Sequence, residues 1–485
     1  MNPESVKFRA WRTSMNSRTA SRISAIALGL LLCSHSCFAG ETRRLTLAEA
    51  VRLAVAQNRT LKIARLKVKE NEYKKVAARS DYFPTITNQS NALHISELQA
   101  LNVPPGAFGT VSGVPIPAVN TNLQQGKQTL YASGTMIAQP LTQLLRVHQE
   151  NRAAAADIAT SRDELKKGEN EVALEAHTLY YGILVAQMQK KAAEQETSFA
   201  SETLREHEND VSGGSALEVS VIQSRAELLQ AQQSALTAEL QIEDYTSELN
   251  DLLGLPLDTQ LELVPEEISD LSVLSKAEYV NAAWDENPEI RAAQATIEKA
   301  RAGVAAAKTA YIPDVTAFAR HSYQDGVPFL VRNFGTVGIN LDYTVFDFGK
   351  RRATVRERQT QLEECEQNLE HLKEEVAVAV ERSYNKLERT RSMVNAAKLR
   401  EESERLANNQ QQQGVILISD VRHATAANYK AKADLLQANL GYLLAWAELQ
   451  RTIGRTPGTG ATGEARDPSS PQGQVGAPAA RRLSR

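Results

Sequence analysis

The chain has 485 residues, of which 42% are apolar, 23% charged and only 5% aromatic. With 55 basic against 58 acidic residues it carries no positive excess to neutralise phosphates, which removes nucleic-acid binding from the candidate functions. Three cysteines, two of them (Cys33 and Cys37) near the N-terminus, exclude a disulfide framework and a multi-cysteine metal site.

Lys7, Arg9, Arg12, Arg18 and Arg22 precede a short apolar run from Ile23 to Leu32, and Cys37-Phe38-Ala39 precedes Gly40. That order predicts a secretory signal peptide, residues 1–39, cut after Ala39, with Met15 as an alternative start. The run is shorter than the ~20 apolar residues that span a bilayer. Cys33 follows Leu32, and Cys37 has Ser34 three positions before it, so neither fits the pattern for lipid attachment. No later stretch is apolar enough for a membrane helix, so the mature chain is either soluble outside the cytoplasm or enters a membrane as β-structure.

The remainder is written twice. A shift of 229 residues lays Ala48-Glu49 on Ala277-Glu278, Asn58 on Asn287 and Tyr82-Phe83-Pro84 on Tyr311-Ile312-Pro313. A shift of 204 lays Glu171-Val172-Ala173 on Glu375-Val376-Ala377, and one of 200 lays Gly214 on Gly414 and Gly254 on Gly454. The four-residue slip is about one helical turn and preserves the helix face. The expected organisation is a first repeat over 40–254, a connection over 255–270, a second repeat over 271–454 and a disordered tail from Arg455.

Within each repeat the chain order is a helix, a hairpin and two long helices. Helices are expected over 141–211, 215–253, 347–412 and 415–453; the first would extend ~105 Å at ~1.5 Å per residue, wider than any globular core. Val221, Ser224, Leu228, Ala231, Ala235, Ala238, Ile242, Tyr245, Leu249 and Leu252 keep a four-three spacing, as do Val421, Ala424, Asn428, Ala431 and their successors to Thr452. Such spacing sustains a left-handed coiled-coil seam. Val355, Leu362, Cys365, Leu369, Leu372 and Val376 lie on a third register, which makes Cys365 a buried seam residue.

Val337, Ile339, Leu341, Tyr343 and Val345 alternate with polar residues, the period of a two-faced strand. Its partner runs from Val315 to Tyr323, giving a hairpin within 311–346; Ile86–Ile95 and Thr129–Gln139 form the other, within 82–140, around a longer Pro/Gly loop. Pro84, Pro140, Pro313, Phe346 and Gly349 mark the helix-strand junctions, where a missing N–H is tolerable for proline. Four strands cannot close a barrel. If the apolar face meets lipid, strands from other copies must complete it; periodicity alone leaves open a water-facing sheet that caps a coiled coil.

No enzyme motif is assembled. The eight histidines have no His-Glu-x-x-His or Cys-x-x-Cys partner, so no metal and no cofactor is expected. Gly213-Gly214-Ser215 lies between two helices and lacks the frame of a nucleophile turn.

In their order and double occurrence these residues resemble the outer membrane efflux protein family, the TolC-like exit ducts of Gram-negative bacteria. The resemblance rests on Tyr82-Phe83-Pro84 and Tyr311-Ile312-Pro313 entering the hairpins, Val345-Phe346-Asp347-Phe348-Gly349 leaving the second, and the Gly414 turn followed by Ser419-Asp420-Val421. It implies a mainly α fold with a small transmembrane β part: long coiled-coil helices forming a periplasmic tunnel, and two hairpins per chain giving four strands to a trimeric twelve-stranded barrel. It also implies a homotrimer in outer-membrane lipid, a periplasmic adaptor and an inner-membrane transporter as partners, and no cofactor or catalysis.

Carried over by position, Gly213, Gly214, Ser215, Gln413, Gly414 and Val415 become the adaptor-docking tip, and Asp420, His423 and Ser220 the pore constriction. His423 stands where a second acid is expected, and Ser220 stands in the first repeat where the second has Asp420. For Asp420 an N-terminal helix acid favoured by the local dipole is the alternative, and for the glycines a plain helix-ending turn. The implied function is a passive exit duct of a tripartite efflux pump or type I secretion system, gated at the helical tip. The alternative is a periplasmic coiled-coil scaffold or adaptor that never enters lipid.

Overall fold

The structure, a computed structural model, describes residues 43–98, 100–124, 126–265, 273–327, 331–413 and 418–458. The expected presequence, Gly414, Val415 and the residues beyond 458 lie outside the described residues.

The first repeat opens with β1 (Arg43–Leu45), α1 (Leu47–Gln57) and α2 (Arg59–Ser80). Thr46 starts α1 through a capping box: its N–H donates to Glu49 Oε2 at 3.2 Å while Glu49 N–H donates back to Thr46 Oγ1. Hydrogen bonds from Thr46 hold the Glu49 carboxyl below the usual carboxylate range. Asn58 ends α1 at a non-helical ψ of 130 and caps α2 by accepting from the Leu61 N–H at 3.1 Å. The second repeat builds the same corner from α5 (Lys276–Glu286) and α6 (Pro288–Thr309), with Ser275 and Glu278 as the box and Asn287 accepting from Glu289 and Ile290.

The long elements are α3 (Leu144–Ser212), α4 (Glu218–Leu253), α7 (Lys350–Gln413) and α8 (Ile418–Ile453). At 69 and 64 residues, α3 and α7 each extend ~100 Å. They run the whole length of the helical part while shorter helices flank them in two tiers. Near the sheet, α2 and α6 pack on α3 and α6 on α7; in the other tier α4 and α8 pack on α3 and α8 on α7. The result is a wall one helix thick, ordered α2–α3–α6–α7 above and α4–α3–α8–α7 below.

Apolar seams hold this wall together. Along α4, every seam position from Val221 to Leu252 is buried or half-buried, with Ser224, Ala231 and Ala238 fully buried one heptad apart. Helix α8 buries two stripes, one through Ala424, Ala431 and Ala445 and another through Ala426, Ala433, Leu440 and Ala447, because it has neighbours on both sides. Alanine at these positions lets helices approach closely. Ion pairs such as Arg162–Glu72 at 2.7 Å, Lys190–Glu239 at 2.7 Å and Arg400–Asp434 at 3.6 Å decorate the surface and contribute at most ~1 kcal/mol each. Cys365 is half-buried on the α7 seam rather than buried, since α6 covers that register from one side only.

Two cores sit at the junction of the tiers, one per repeat, and they correspond under the shifts that relate the sequences. Ala54, Leu61, Ala176, Ile183, Leu249 and Leu253 in the first match Ala283, Ile290, Val380, Leu387, Leu449 and Ile453 in the second. The first core also contains a feature the sequence reading missed, a parallel pair of β1 with β8 (Leu261–Leu263). Tyr180, fully buried, secures it: its single O–H proton is shared between the Leu45 and Val264 carbonyls, 3.0 and 2.6 Å away, and its oxygen accepts from the Val264 N–H at 3.0 Å.

The sheet comprises β2 (Thr85–His94), β7 (Thr129–Pro140), β9 (Asp314–Asp325) and β10 (Asn333–Asp342), all antiparallel in the order β10–β9–β7–β2. The strand expected to reach Val345 ends at Asp342, because the chain turns there to enter α7. Between β2 and β7 the loop is itself a ribbon. In it β3 (Ala100–Val103) pairs with β6 (Thr121–Gln124), and β4 (Thr110–Val111) with β5 (Val114–Pro115). Ser112 and Gly113, at φ 54 and 82, form the tight turn at its end.

Candidate conduit, tip and mouth

Register sorts the sheet residues onto two faces. Ile86, Ile137, Ala319 and Val337 lie in one row across the four strands, followed by Ala317 with Ile339 and Val315 with Leu341. Val337, Ile339 and Leu341 are 84%, 70% and 64% exposed, an apolar band that no described residue covers. The opposite face carries Asp314, Arg320, Gln89, Asn91, Asn340 and Asp342. Large side chains lie over glycine there: Arg320 over Gly134, and the Phe318 ring over Gly338, where a Cβ would stand 2.9 Å from it. Only a glycine gives such a ring room at that position. Over the rows nearest the helices the sheet therefore has an apolar face backed by a more polar one, the pattern of a membrane barrel wall, whereas further along the same face carries Asn88, Thr135 and His321 and then Ser90, Ser133 and Tyr323.

Sheet and tube join at Arg351. Asp347 caps α7 by accepting from Gly349 and Arg351 N–H groups at 3.1 and 3.0 Å, and Arg351 Nε donates to Asp347 Oδ2 at 2.7 Å. The same guanidinium donates to the Thr344 and Ala310 carbonyls and lies 5.2 Å from the Tyr343 ring and 5.8 Å from Tyr311. It thus ties together the end of β10, the end of α6 and the start of α7. Of the expected junction residues, Pro84 and Pro313 each stand just before a strand and Pro140 closes β7. Phe346 packs edge-on against Phe348 at 4.7 Å, and Gly349 supplies a left-handed turn at φ 88.

At the far end, α3 stops through a paired hydrogen-bond motif. Gly214 sits at φ 74; its N–H donates to the Val211 carbonyl at 3.0 Å, and Ser215 N–H donates to Asp210 at 2.9 Å. Gly213, Gly214 and Ser215 are exposed, and Leu217 beyond them is 74% exposed. In the second repeat Gln413 ends α7, whereas Gly414 and Val415 are not described. Ser220 lies in the first turn of α4, half-buried, and Asp420 in the first turn of α8. The His423 ring packs edge-on against Phe199 of α3 at 5.0 Å, so its neighbour is aromatic rather than acidic.

Beside it is a polar link that sequence reasoning missed. Arg422 donates to Ser198 Oγ at 2.6 Å and to the Ser198 carbonyl at 3.4 Å, and approaches Glu202 at 3.8 Å. Glu202 is 8% exposed and also bonds Arg205. The only available signal was a charged residue directly after the seam position Val421. Among the described residues, no helix is long and apolar enough to cross a membrane, and no group of three His, Cys, Asp or Glu could hold a metal.

Sequence comparison agrees with this architecture. The family model for outer membrane efflux protein matches residues 50–255 and 279–455, one stretch per repeat. The alkaline protease secretion protein AprF of Pseudomonas aeruginosa is 23% identical over 332 residues, covering 66% of this chain and 69% of AprF. Protein CyaE of Bordetella pertussis is 28% identical over 202 residues, 40% of this chain and 42% of CyaE. The Campylobacter jejuni CmeC outer membrane channel shares the fold, with a TM-score of 0.68 at 15% identity, over 84% of this chain and 85% of that one.

A single-layer helical wall continued by a sheet with an apolar outside and a polar inside defines an outer-membrane exit duct. The chain belongs to the outer membrane efflux protein family. Its role is that of a conduit out of the cell, and the family is one of channels rather than enzymes.

Proposed function

We propose that three copies build one twelve-stranded barrel and one continuous tube, through which an exported polypeptide passes without chemistry at the duct. The observation that carries this reading is the sheet: both edge strands, β10 and β2, have one side unpaired, and an exposed apolar band runs across the outer face. Unpaired backbone groups are not tolerated in lipid, so copies must pair β10 to β2 around a ring. The helical wall is open in the same places, with Ile63, Leu66, Tyr73 and Val76 exposed along α2 and Ile222, Leu229, Leu236 and Leu240 along α4. Similarity to AprF, named for alkaline protease secretion, supports a type I secretion role with a polypeptide as cargo.

In this reading, Gly213, Gly214 and Ser215, with Gln413, Gly414 and Val415, meet a periplasmic adaptor that couples the duct to an inner-membrane transporter. Asp420, His423 and Ser220 form the constriction that opens for cargo. The protein resides in the outer membrane and reaches into the periplasm after removal of residues 1–39. The test is direct: the mature protein is extracted only with detergent, scatters light as three copies and conducts ions in a planar bilayer. Recovery from the periplasm without detergent overturns the reading. For the constriction, Asp420→Asn is expected to change conductance or cation block; unchanged behaviour removes Asp420 from it.

A further inference from the structure

The ribbon between β2 and β7 stands at the end of the sheet away from the helices, which the trimeric reading puts outside the cell. Exposed loops in water are ordinarily polar and charged, yet no Asp, Glu, Lys or Arg occurs between Glu97 and Lys127. The ribbon has two faces. Leu101 pairs with Leu123 and Val103 with Thr121, so these four side chains share one face, while Ala100, Asn102 and Asn122 lie on the other. Val103 is buried, but Leu101 is 60% and Leu123 44% exposed. Further along, Phe108 at 73% and Val119 at 69% are exposed as well. A water-facing polar side backed by an uncovered apolar side is half of an interface.

We propose that this apolar face docks on the same ribbon of a second copy, so that three ribbons meet over the barrel and close its external mouth. The proposal rests on the trimeric reading and takes its occupant from position. The ribbon rises from β2, the edge strand that pairs with the next copy, so it begins at the seam between copies. Its base is fixed: Lys127 N–H donates to the Gly326 carbonyl at 3.0 Å and Lys127 Nζ meets Asp325 at 2.9 Å. Reach is sufficient. Twelve strands ~4.8 Å apart and tilted ~40° give a backbone radius of roughly 12 Å, and the four-residue β3–β6 ladder alone spans ~13 Å. Three apolar faces at the axis exclude water and ions while the duct is idle, and part when cargo arrives from the other end, a gate that works by dewetting.

The test places cysteine at Leu101 or Leu123 in a Cys365→Ser background and treats the detergent-purified duct with a bis-maleimide. Covalent dimers and trimers on a denaturing gel are expected. In parallel, the double variant Leu101→Asp, Leu123→Asp is expected to raise resting conductance in a planar bilayer about twofold or more, since charge rewets an apolar constriction. Complete labelling by a monofunctional maleimide without cross-linking, in a sample that light scattering reports as three copies, overturns the lid and leaves the trimer standing. A double variant that conducts like the parent also overturns it. Scattering from a single copy overturns the trimeric reading, and the lid with it.

Discussion

Gly454 lies so close to Glu286 that a Cβ built on it would stand 2.5 Å from the Glu286 carbonyl oxygen and 2.8 Å from Asn287 Cα. Its φ of 110 is a conformation that side chains rarely adopt, and its own carbonyl accepts from the buried Asn170 Nδ2 at 2.8 Å. Here the second repeat closes on itself and on the first at one residue. The first residues past the second repeat pack back onto it. Arg455 is forked onto Glu286 at 2.6 and 2.8 Å, and Thr456 donates to Asn170 Oδ1 at 2.8 Å.

The equivalent glycine of the first repeat, Gly254, is less constrained: its φ is 68 and a Cβ would stand 3.4 Å from the Gln57 side chain. Gly454→Ala is therefore expected to cost about 3 kcal/mol or more, and Gly254→Ala about 1 kcal/mol. Urea unfolding of the detergent-solubilised protein measures both, and equal losses would refute the distinction.

Acid should loosen the first core through His177. The ring is 3% exposed, Gly458 lies against it, and its Nδ1 has no hydrogen-bond partner among the described residues. Burial pulls its pKa from 6.5 down to about 4. Between those values the unfolded chain binds a proton that the folded chain refuses, so this contribution is intact above pH 6.5 and declines as pH falls towards 4. The loss amounts to ~3 kcal/mol. Glu175, two residues away, is shifted upward by burial and by Glu248 and Asp251, and acts in the opposite sense. Comparison with His177→Leu isolates the histidine: over this range the parent should lose more stability than the variant, and parallel curves would count against the assignment.

Arg422 should hold α8 to α3 near the tip. Arg422→Leu leaves Ser198 without its donor and Glu202 with Arg205 alone, a loss of ~1–3 kcal/mol confined to that region. Faster amide exchange over residues 198–205 and a larger resting leak in a planar bilayer are expected. Exchange at the parental rate there means that the link does not hold the helices together.

Charge on the open stripe of α4 should prevent assembly. Leu229 and Leu236, 60% and 61% exposed in the single chain, are expected to be covered by the next copy. Leu229→Glu with Leu236→Glu should shift the detergent-solubilised protein from three copies to one in light scattering. Glutamate at Gln230 and Gln241, exposed positions off the stripe, should leave three copies. A trimer that survives the stripe substitutions places the interface elsewhere.

Much of the fold is written in local pattern. Four-three spacing from Val221 to Leu252 dictates which face of α4 is covered, because a helix with one apolar stripe has one way to hide it. Capping residues Asn58 and Asn287, and the glycines at 214 and 254, mark element ends because their chemistry suits only ends. Alternation from Val337 to Leu341 likewise gives the sheet two faces without reference to anything distant. The turn at Gly214 was legible, but not the Arg422–Ser198 contact, which joins residues 224 apart.

Sequence alone determined the duplicated plan, the helix seams, the four strands of the main sheet and the resemblance to exit ducts, since each is a periodicity or motif within one segment. Tertiary structure decided which helices share a tier, that Tyr180 secures β1 to β8 and that Gly454 closes on Glu286. It also revealed that the long loop is a two-faced ribbon. These depend on register between distant segments, and register is set by shape and packing across the fold, which no local pattern encodes.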